Sequence, residues 1–410
     1  MSNQALKRVL YLAPEVPALS ATFVYNEIFA LKKEGHFVAV ASVHLPAAKV
    51  GESVKAELGD VFFLYKQSFM HKLKNFCKGV VRNPINSLTT VFVMLKDFFK
   101  LGVITNTALG QFYRFFVSFS LANYITENKI EHIHVHFAHV PTDLAMYASL
   151  ITGRSFSVMA HANDIFERGY LLDEKISRSK FFATISQYNI NYLKQFSNKT
   201  EKLKIVHCGV DTNAYGEPSL RAKNGVPIIG FLGRLVEKKG CTYLLDAVSQ
   251  LKAQGESFRL EIVGDGPLLE ELKAQTNKLQ LNDIVEFKGS MPNKDVLKWL
   301  TSLTGFVLPC VEDSNGDKDG IPVSLMEAML FGVVVISTNL SGIPELVLDE
   351  KTGFIAETGN TDDLTRKIAQ LLSLDEIQRK NLLGNALNHV VEEFDLQRNA
   401  NKLSTYIQQP

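Results

Sequence analysis

Cysteine is scarce. The four in 410 residues, Cys77, Cys208, Cys241 and Cys310, lie far apart and match neither a disulfide framework nor a metal-ligand spacing, which points to a reducing compartment. An excess of charge of one sign is also missing. With 44 Lys and Arg against 43 Asp and Glu the net charge is +1, so the whole chain gives no argument for nucleic acid, and any basic surface has to be local. Long apolar runs are absent too: Arg82, Arg114 and Glu327 interrupt the best candidates before they reach the roughly 18 residues that span a bilayer. The opening residues, MSNQALKRVLYLAP, lack the apolar core and small-residue cleavage site of a signal peptide. Finally, the first strand-to-helix turn, Ala13-Pro14-Glu15-Val16-Pro17, holds no G-x-G-x-x-G, so the dinucleotide fingerprint is missing where a nicotinamide enzyme needs it.

What is present is a large apolar fraction, 46% against 21% charged, in a chain long enough for two or three domains of about 150 residues each. The stretch that organises it runs from Asp313 to Met329. An apolar run at 305–309 reads as a buried strand, a polar loop follows, and an apolar segment to Leu330 reads as a helix. Pro322 suits the first helical turn, which leaves the amides after Asp319 pointing into the loop, an arrangement that attracts anions. Asp319 and Glu327 are eight residues apart, about two helical turns, so a loop carboxylate and a helix carboxylate can face one pocket. Two carboxylates beside an anion-seeking helix end suit a ligand with both phosphates and hydroxyls. The same spacing also fits a solvated loop leading into a core helix.

Along the chain, residues 8–12 read as a buried strand, about 22–34 as a helix capped by Gly35, and 37–43 as a returning strand: a parallel, right-handed opening unit. Ser20 or Thr22 is placed to cap that helix. Residues 66–116 shift in composition, with eight basic residues (Lys66, Lys72, Lys74, Lys78, Arg82, Lys96, Lys100, Arg114), the single acid Asp97, and interleaved phenylalanines. Two readings stand: an amphipathic surface for an anionic membrane, or helices whose phenylalanines fill the core. His132, His134 and His136 share one face of a strand, but neighbours on that face are about 6 to 7 Å apart, too far to chelate one ion easily. Further strands are expected at 156–160, 182–186, 205–211, 259–263, 285–290 and 333–337 and in the apolar run before Gly233, with a final helix at 394–407.

DGIPVSLMEAM at 319–329 resembles the acidic E-x7-E signature of retaining GT4-family glycosyltransferases, usually EGxPxxxLEAM, with Asp319 in place of the first Glu. Leu19 to Phe23 resembles an S-E-T-F segment with Ala21 for the Glu, and His161 to Asp164 resembles the family's H-x-x-D segment. Gly233-Arg234 with Lys239 resembles the G-R-x4-K grip on a donor diphosphate, and residues 263–268 resemble VGDGPL. The likeness covers nearly the whole chain from Arg8 and is of the bacterial exopolysaccharide and colanic-acid type.

The resemblance implies a GT-B fold of class α/β: two Rossmann-like parallel-sheet domains facing each other across a cleft. Residues 1–211 would form the N-terminal, acceptor-binding domain, 212–226 the linker, and 227–392 the nucleotide-sugar-binding domain, with the helix of 393–410 crossing back to the first domain. It implies retaining transfer of a sugar from a UDP- or GDP-sugar to a hydroxyl of a glycan or lipid-linked acceptor. The expected catalytic residues are His161, Arg234, Lys239, Asp319 and Glu327. The expected donor contacts are Gly233, Arg234, Lys239, Ser290, Met291, Gly320, Ile321, Pro322, Val323 and Glu327, with His136 on the acceptor side. Asp317-Lys318-Asp319 spells D-x-D, yet no cofactor and no essential metal are expected. The expected place is the cytoplasm, or the periphery of the plasma membrane's inner face. Competing readings are a nucleotide-sugar epimerase, a phosphorylase, and a non-catalytic nucleotide-sugar-binding module.

Overall fold

The computed structural model of the chain describes residues 6–18, 21–47, 51–213 and 225–409. Most of the expected linker at 212–226, and Ser20, lie outside these described residues. The chain divides into two compact units. The first comprises residues 1–185, 189–207 and 396–410, and the second residues 186–188 and 208–395.

In the first unit the strands are β1 (Val9–Glu15), β2 (Val38–His44), β3 (Val61–Phe63), β4 (His132–His136), β5 (Ser155–Ala160), β6 (Phe182–Thr184) and β7 (Leu203–Ile205). They form a parallel sheet in the order β3-β2-β1-β4-β5-β6-β7, with Val9 opposite Val38 on one side and His132 on the other. The order reverses between β1 and β4, which is where open α/β sheets leave a crevice at their carboxyl ends. Ile133 and Val135 face one apolar layer with Leu10 and Leu12, while Val9 and Tyr11 belong to the layer on the opposite face. The strand expected at 205–211 lies earlier. Register with β6 pairs Phe182 with Leu203 and Thr184 with Ile205, and Val210 instead bridges Asp395 inside the second unit.

The helices Phe69–Arg82, Pro84–Lys100 and Asn106–Glu127 carry the basic, aromatic stretch. The core-filling reading holds for some of its phenylalanines and not for others. Phe98 and Phe115 are buried, whereas Phe69, Phe92, Phe99 and Phe112 are exposed. Asp97 is buried, and both its oxygens accept from the Arg178 guanidinium at 2.7 Å. The last helix, Leu396–Gln408, belongs to the first unit: Ser404 Oγ lies 2.8 Å from His36 Nε2, and Lys7 Nζ donates to the Ile407 carbonyl at 2.9 Å.

In the second unit β8 (Ile228–Leu232), β9 (Arg259–Val263), β10 (Val285–Gly289), β11 (Gly305–Val307), β12 (Val334–Thr338) and β13 (Phe354–Ala356) form a parallel sheet in the order β10-β9-β8-β11-β12-β13. Its reversal falls between β8 and β11. Among the described residues, no helix is long and apolar enough to cross a membrane.

Candidate active site

In the second unit, the segments that follow β8, β9, β10 and β11 all leave the carboxyl edge of the sheet. Gly233 and Arg234 follow β8, Gly264 follows β9, Ser290 and Met291 follow β10, and the loop to Pro322 follows β11. Gly264 has φ +141°, and a Cβ there would stand 1.9 Å from the Gly233 carbonyl oxygen, so two turns pack backbone to backbone only because this residue is glycine. Ser290 is exposed, and Met291 packs on the core of this unit.

Lys239 and Asp319 meet at the reversal point, with Nζ 2.6 Å from Oδ2. Lys238 lies 2.7 Å from Asp317 and 3.5 Å from Asp319 Oδ1, and Cys310 Sγ is 3.5 Å from Asp319 Oδ2. Burial by itself would raise the Asp319 pKa, but the two ammoniums outweigh it and hold the carboxyl below its ordinary value. For Lys239 burial works downward, and Asp319 reverses it to leave the pKa raised. Both acids of the D-x-D tripeptide are therefore held by lysines. Arg234 differs: its side chain is exposed and, among the described residues, faces no carboxylate partner.

The helix Val323–Leu330 begins one residue later than expected, with Pro322 as its N-cap and no side chain bonded to the free amides there. Pro322 has ψ 126°, an extended value that places it outside the helical turn. Gly320, Ile321 and Pro322 are buried, and Val323 is half-buried. Glu327 lies one turn along. Burial pushes its carboxyl up to about 7, and among the described residues no protein group bonds to it. A half-buried carboxyl with no protein donor is suited to hydroxyls supplied by a ligand.

In the first unit His161 follows β5. The Asp164 carboxylate accepts from the His161 backbone N–H at 2.8 Å and from the Ala138 N–H at 2.6 Å, which ties the ends of β4 and β5 together. His161 Nε2 lies 3.2 Å from His136 Nδ1. His136 Nε2 lies 3.0 Å from Glu27 Oε1, which also accepts from the Tyr11 hydroxyl at 2.7 Å. Burial works to raise the Glu27 pKa, and His136 with its hydrogen bond brings it below the ordinary value. His132 turns away to the Ser155 and Ser157 hydroxyls, at 2.8 and 2.7 Å. Glu27, His134 and His136 bring ligand-type atoms within 4.8 Å of one another, a grouping that strand spacing could not reveal because Glu27 arrives from another element. A cavity of about 560 Å³ opens at the carboxyl ends of the same sheet, lined by residues that include Pro14, His44, Arg114, His139, Arg168 and Tyr170.

Residues 217–388 match the family of glycosyl transferases group 1. The chain is GT4-like. It is 25% identical over 377 residues to the amylovoran biosynthesis glycosyltransferase AmsK of Erwinia amylovora, covering 89% of this chain and 90% of AmsK. Over 232 residues, 56% of this chain, it is 34% identical to a Salmonella typhimurium protein named for colanic acid biosynthesis, the glycosyltransferase WcaL, of whose length the match spans only 57%. The GT4-like chain also shares its fold with two solved structures. A glycosyltransferase from Rickettsia africae has a TM-score of 0.71 at 18% identity, covering 98% of each chain, and Anabaena HepE in complex with UDP has 0.71 at 16%, covering 97% and 98%. The architecture is GT-B.

The residues that sequence reasoning passed over are Lys238, Glu27 and the clamping role of Asp164. Asp164 had a signal in its H-x-x-D spacing. Lys238 had only its adjacency to Lys239, and Glu27 had none.

Proposed function

We propose that this GT4-like chain is a retaining glycosyltransferase that moves a sugar from a nucleoside-diphosphate sugar to a hydroxyl of a glycan or lipid-linked acceptor in polysaccharide biosynthesis. The observation that carries the reading is Glu327, half-buried one turn into the helix Val323–Leu330 and, among the described residues, without a protein donor, in the unit that also carries Arg234. A carboxyl in that place takes ribose hydroxyls. The helix amides and the Arg234 guanidinium offer donors to a diphosphate, whose charge builds as the sugar leaves. Lys239 supports the loop by holding Asp319, and keeps its charge for the same diphosphate.

The likeness to a UDP-bound structure supports a nucleotide donor, and UDP- and GDP-sugars are the donors to test. The test is incubation with a panel of both, following nucleotide release with and without lipid-linked acceptor. Acceptor-dependent release supports transfer. Donor conversion without acceptor points to an epimerase, and binding without turnover to a non-catalytic module.

For the acceptor, a membrane-bound substrate fits the exposed stripe Ile85, Leu88, Phe92 and Phe99 on one helix, spaced to share a face, with Lys96 on the same helix. In this reading the enzyme works at the inner face of the plasma membrane. The reaction needs no metal in this reading, because Asp317 and Asp319 are already paired with Lys238 and Lys239. Activity abolished by EDTA and restored by manganese would refute that part.

A further inference from the structure

The groups assigned to the donor lie in the second unit, whereas the cavity of about 560 Å³ lies in the first. Its walls come from Pro14 of β1, His44 of β2, the start of the helix Val140–Thr152, residues 167–170 beyond β5, and Thr107 and Arg114 of the helix Asn106–Glu127. These segments meet where the strand order reverses between β1 and β4, the place at which an open α/β sheet leaves room for a ligand. The volume falls in the range of small-molecule sites, roughly 300 to 1,000 Å³.

The lining points to the charge of that ligand. Arg114 makes both its polar contacts through one nitrogen: Nη1 donates to the Thr107 carbonyl at 3.2 Å and lies 3.3 Å from Asp143 Oδ2. Its Nε and Nη2 have no protein acceptor among the described residues. Gly110, one helical turn earlier, leaves the space that Nη2 fills, since a Cβ there would stand 2.7 Å from it. Arg168 is freer still. Its side chain is 59% exposed, and its Nε is 3.9 Å from Glu167 Oε1, beyond hydrogen-bond distance. Glu167, the single acid among the lining residues, accepts from the Asn163 side-chain amide. Asp143 is engaged as well: Lys175 Nζ lies 3.2 Å from its Oδ1, and its Oδ2 accepts from the Tyr170 hydroxyl at 2.6 Å. The helix Val140–Thr152 has His139 as its N-cap and no side chain bonded to its first amides, and His139, Val140 and Pro141 bring this positive end to the cavity wall. His139 feels the same field. Burial pushes its pKa down to about 3, and Arg168, Lys175 and Arg114 act in that direction.

We propose that this cavity is a subsite for an oxyanion carried by the acceptor, a phosphate or a carboxylate, held by the free edge of the Arg114 guanidinium and by Arg168. A planar guanidinium presents parallel N–H donors that match either group. The acceptor is therefore anionic, and a neutral sugar of the same size leaves both guanidiniums without an acceptor oxygen of matching charge. This deepens the functional reading above and rests on it for what carries the oxyanion, not for the oxyanion itself.

The test reads binding on the full-length chain by titration calorimetry, with no donor and no turnover. The probes are glucose 1-phosphate, glucuronate and methyl glucoside, which share a ring and differ in charge. Arg168→Gln is the main variant, because its exposed side chain makes no hydrogen bond that the fold depends on. Arg234→Ala serves as the control for anions bound in the second unit. The expected result is that the anions bind, that the neutral glucoside binds at least about tenfold more weakly, and that Arg168→Gln weakens the anions about tenfold, as loss of one charge-assisted hydrogen bond does. Anion binding persists in Arg234→Ala and remains sensitive there to Arg168→Gln. Binding of one anion alone supports the proposal and assigns the group as phosphate or carboxylate.

Equal binding of the neutral glucoside, no binding of either anion, or affinities unchanged by Arg168→Gln each overturns the proposal. So does anion binding that disappears in Arg234→Ala, which assigns it to the second unit. Where transfer is measured, Arg168→Gln raises KM for the acceptor about tenfold with KM for the donor within about twofold, and an unchanged acceptor KM counts against the subsite. Absence of transfer in every form, the unmodified chain included, counts against the glycosyltransferase reading and leaves the anion titration standing.

Discussion

Replacing Glu327 by Gln should stabilise the protein, and by an amount that grows with pH. Burial pushes the carboxyl up to about 7, while the unfolded chain titrates at the ordinary 4.5. Because the folded pKa is the higher of the two, the folded state binds the proton more tightly. The contribution is fully present below pH 4.5 and is lost as pH rises through about 7. At 1.36 kcal/mol per pH unit the gap corresponds to about 3 kcal/mol. Glu327→Gln keeps the size and removes the titration. It should therefore match the unmodified chain at pH 4, diverge between the two pKa values, and be more stable by about 3 kcal/mol near pH 8. Urea unfolding midpoints at a series of pH values measure this. A stability difference that does not vary with pH, or a Gln variant that is less stable near pH 8, would refute the argument that a half-buried, unpaired carboxyl there is pushed up by desolvation. The same variant should lose nucleotide affinity, since an amide replaces two acceptor oxygens with one. A gain in stability with a loss in binding is the signature of a group kept for function.

If Arg234 holds the donor diphosphate as proposed, Arg234→Ala should lower kcat about 100- to 1,000-fold, and near-normal turnover would rule out the role. Asp164→Ala leaves the backbone N–H groups of Ala138 and His161 without their acceptor and should cost about 2 to 4 kcal/mol in chemical denaturation, whereas Asp164→Asn, which keeps one oxygen, costs less. Phe92→Ser with Phe99→Ser changes two exposed side chains, 64% and 65% accessible, and should leave the unfolding midpoint nearly unchanged while abolishing sedimentation with anionic liposomes at low salt. Failure of the unmodified chain to sediment under those conditions removes the membrane reading.

Local pattern carried a good deal of this protein. The apolar run of β1, the capped helix after it, and the strand-loop-helix around residues 305–330 were legible because each is written in neighbouring residues. So were the loop-to-helix place of DGIPVSLMEAM and the place of G-R-x4-K just beyond a strand. Register was less legible: the strand sought at 205–211 is three residues at Leu203–Ile205, because pairing with β6 and the bridge from Val210 to Asp395 decide where the ladder stops. The 66–116 stretch was ambiguous in one dimension because composition does not say which face of a helix meets a sheet.

By itself, then, the sequence determined β1 and the helix after it, the strand-loop-helix of residues 305–330 with Glu327 on its helix, and the placing of Arg234 just beyond a strand. Only the tertiary structure decided what each charge meets. Lys239 and Asp319 are 80 residues apart in the chain, and Glu27 and His136 are 109 apart, yet each pair is within hydrogen-bond distance. The reason is physical: a parallel sheet brings the ends of distant strands to one edge, and a buried charge accepts whichever partner that edge supplies. Asp319 found two ammoniums there, Glu27 found an imidazole and a phenol, and Glu327 found no protein partner among the described residues, which is what singles it out for a ligand.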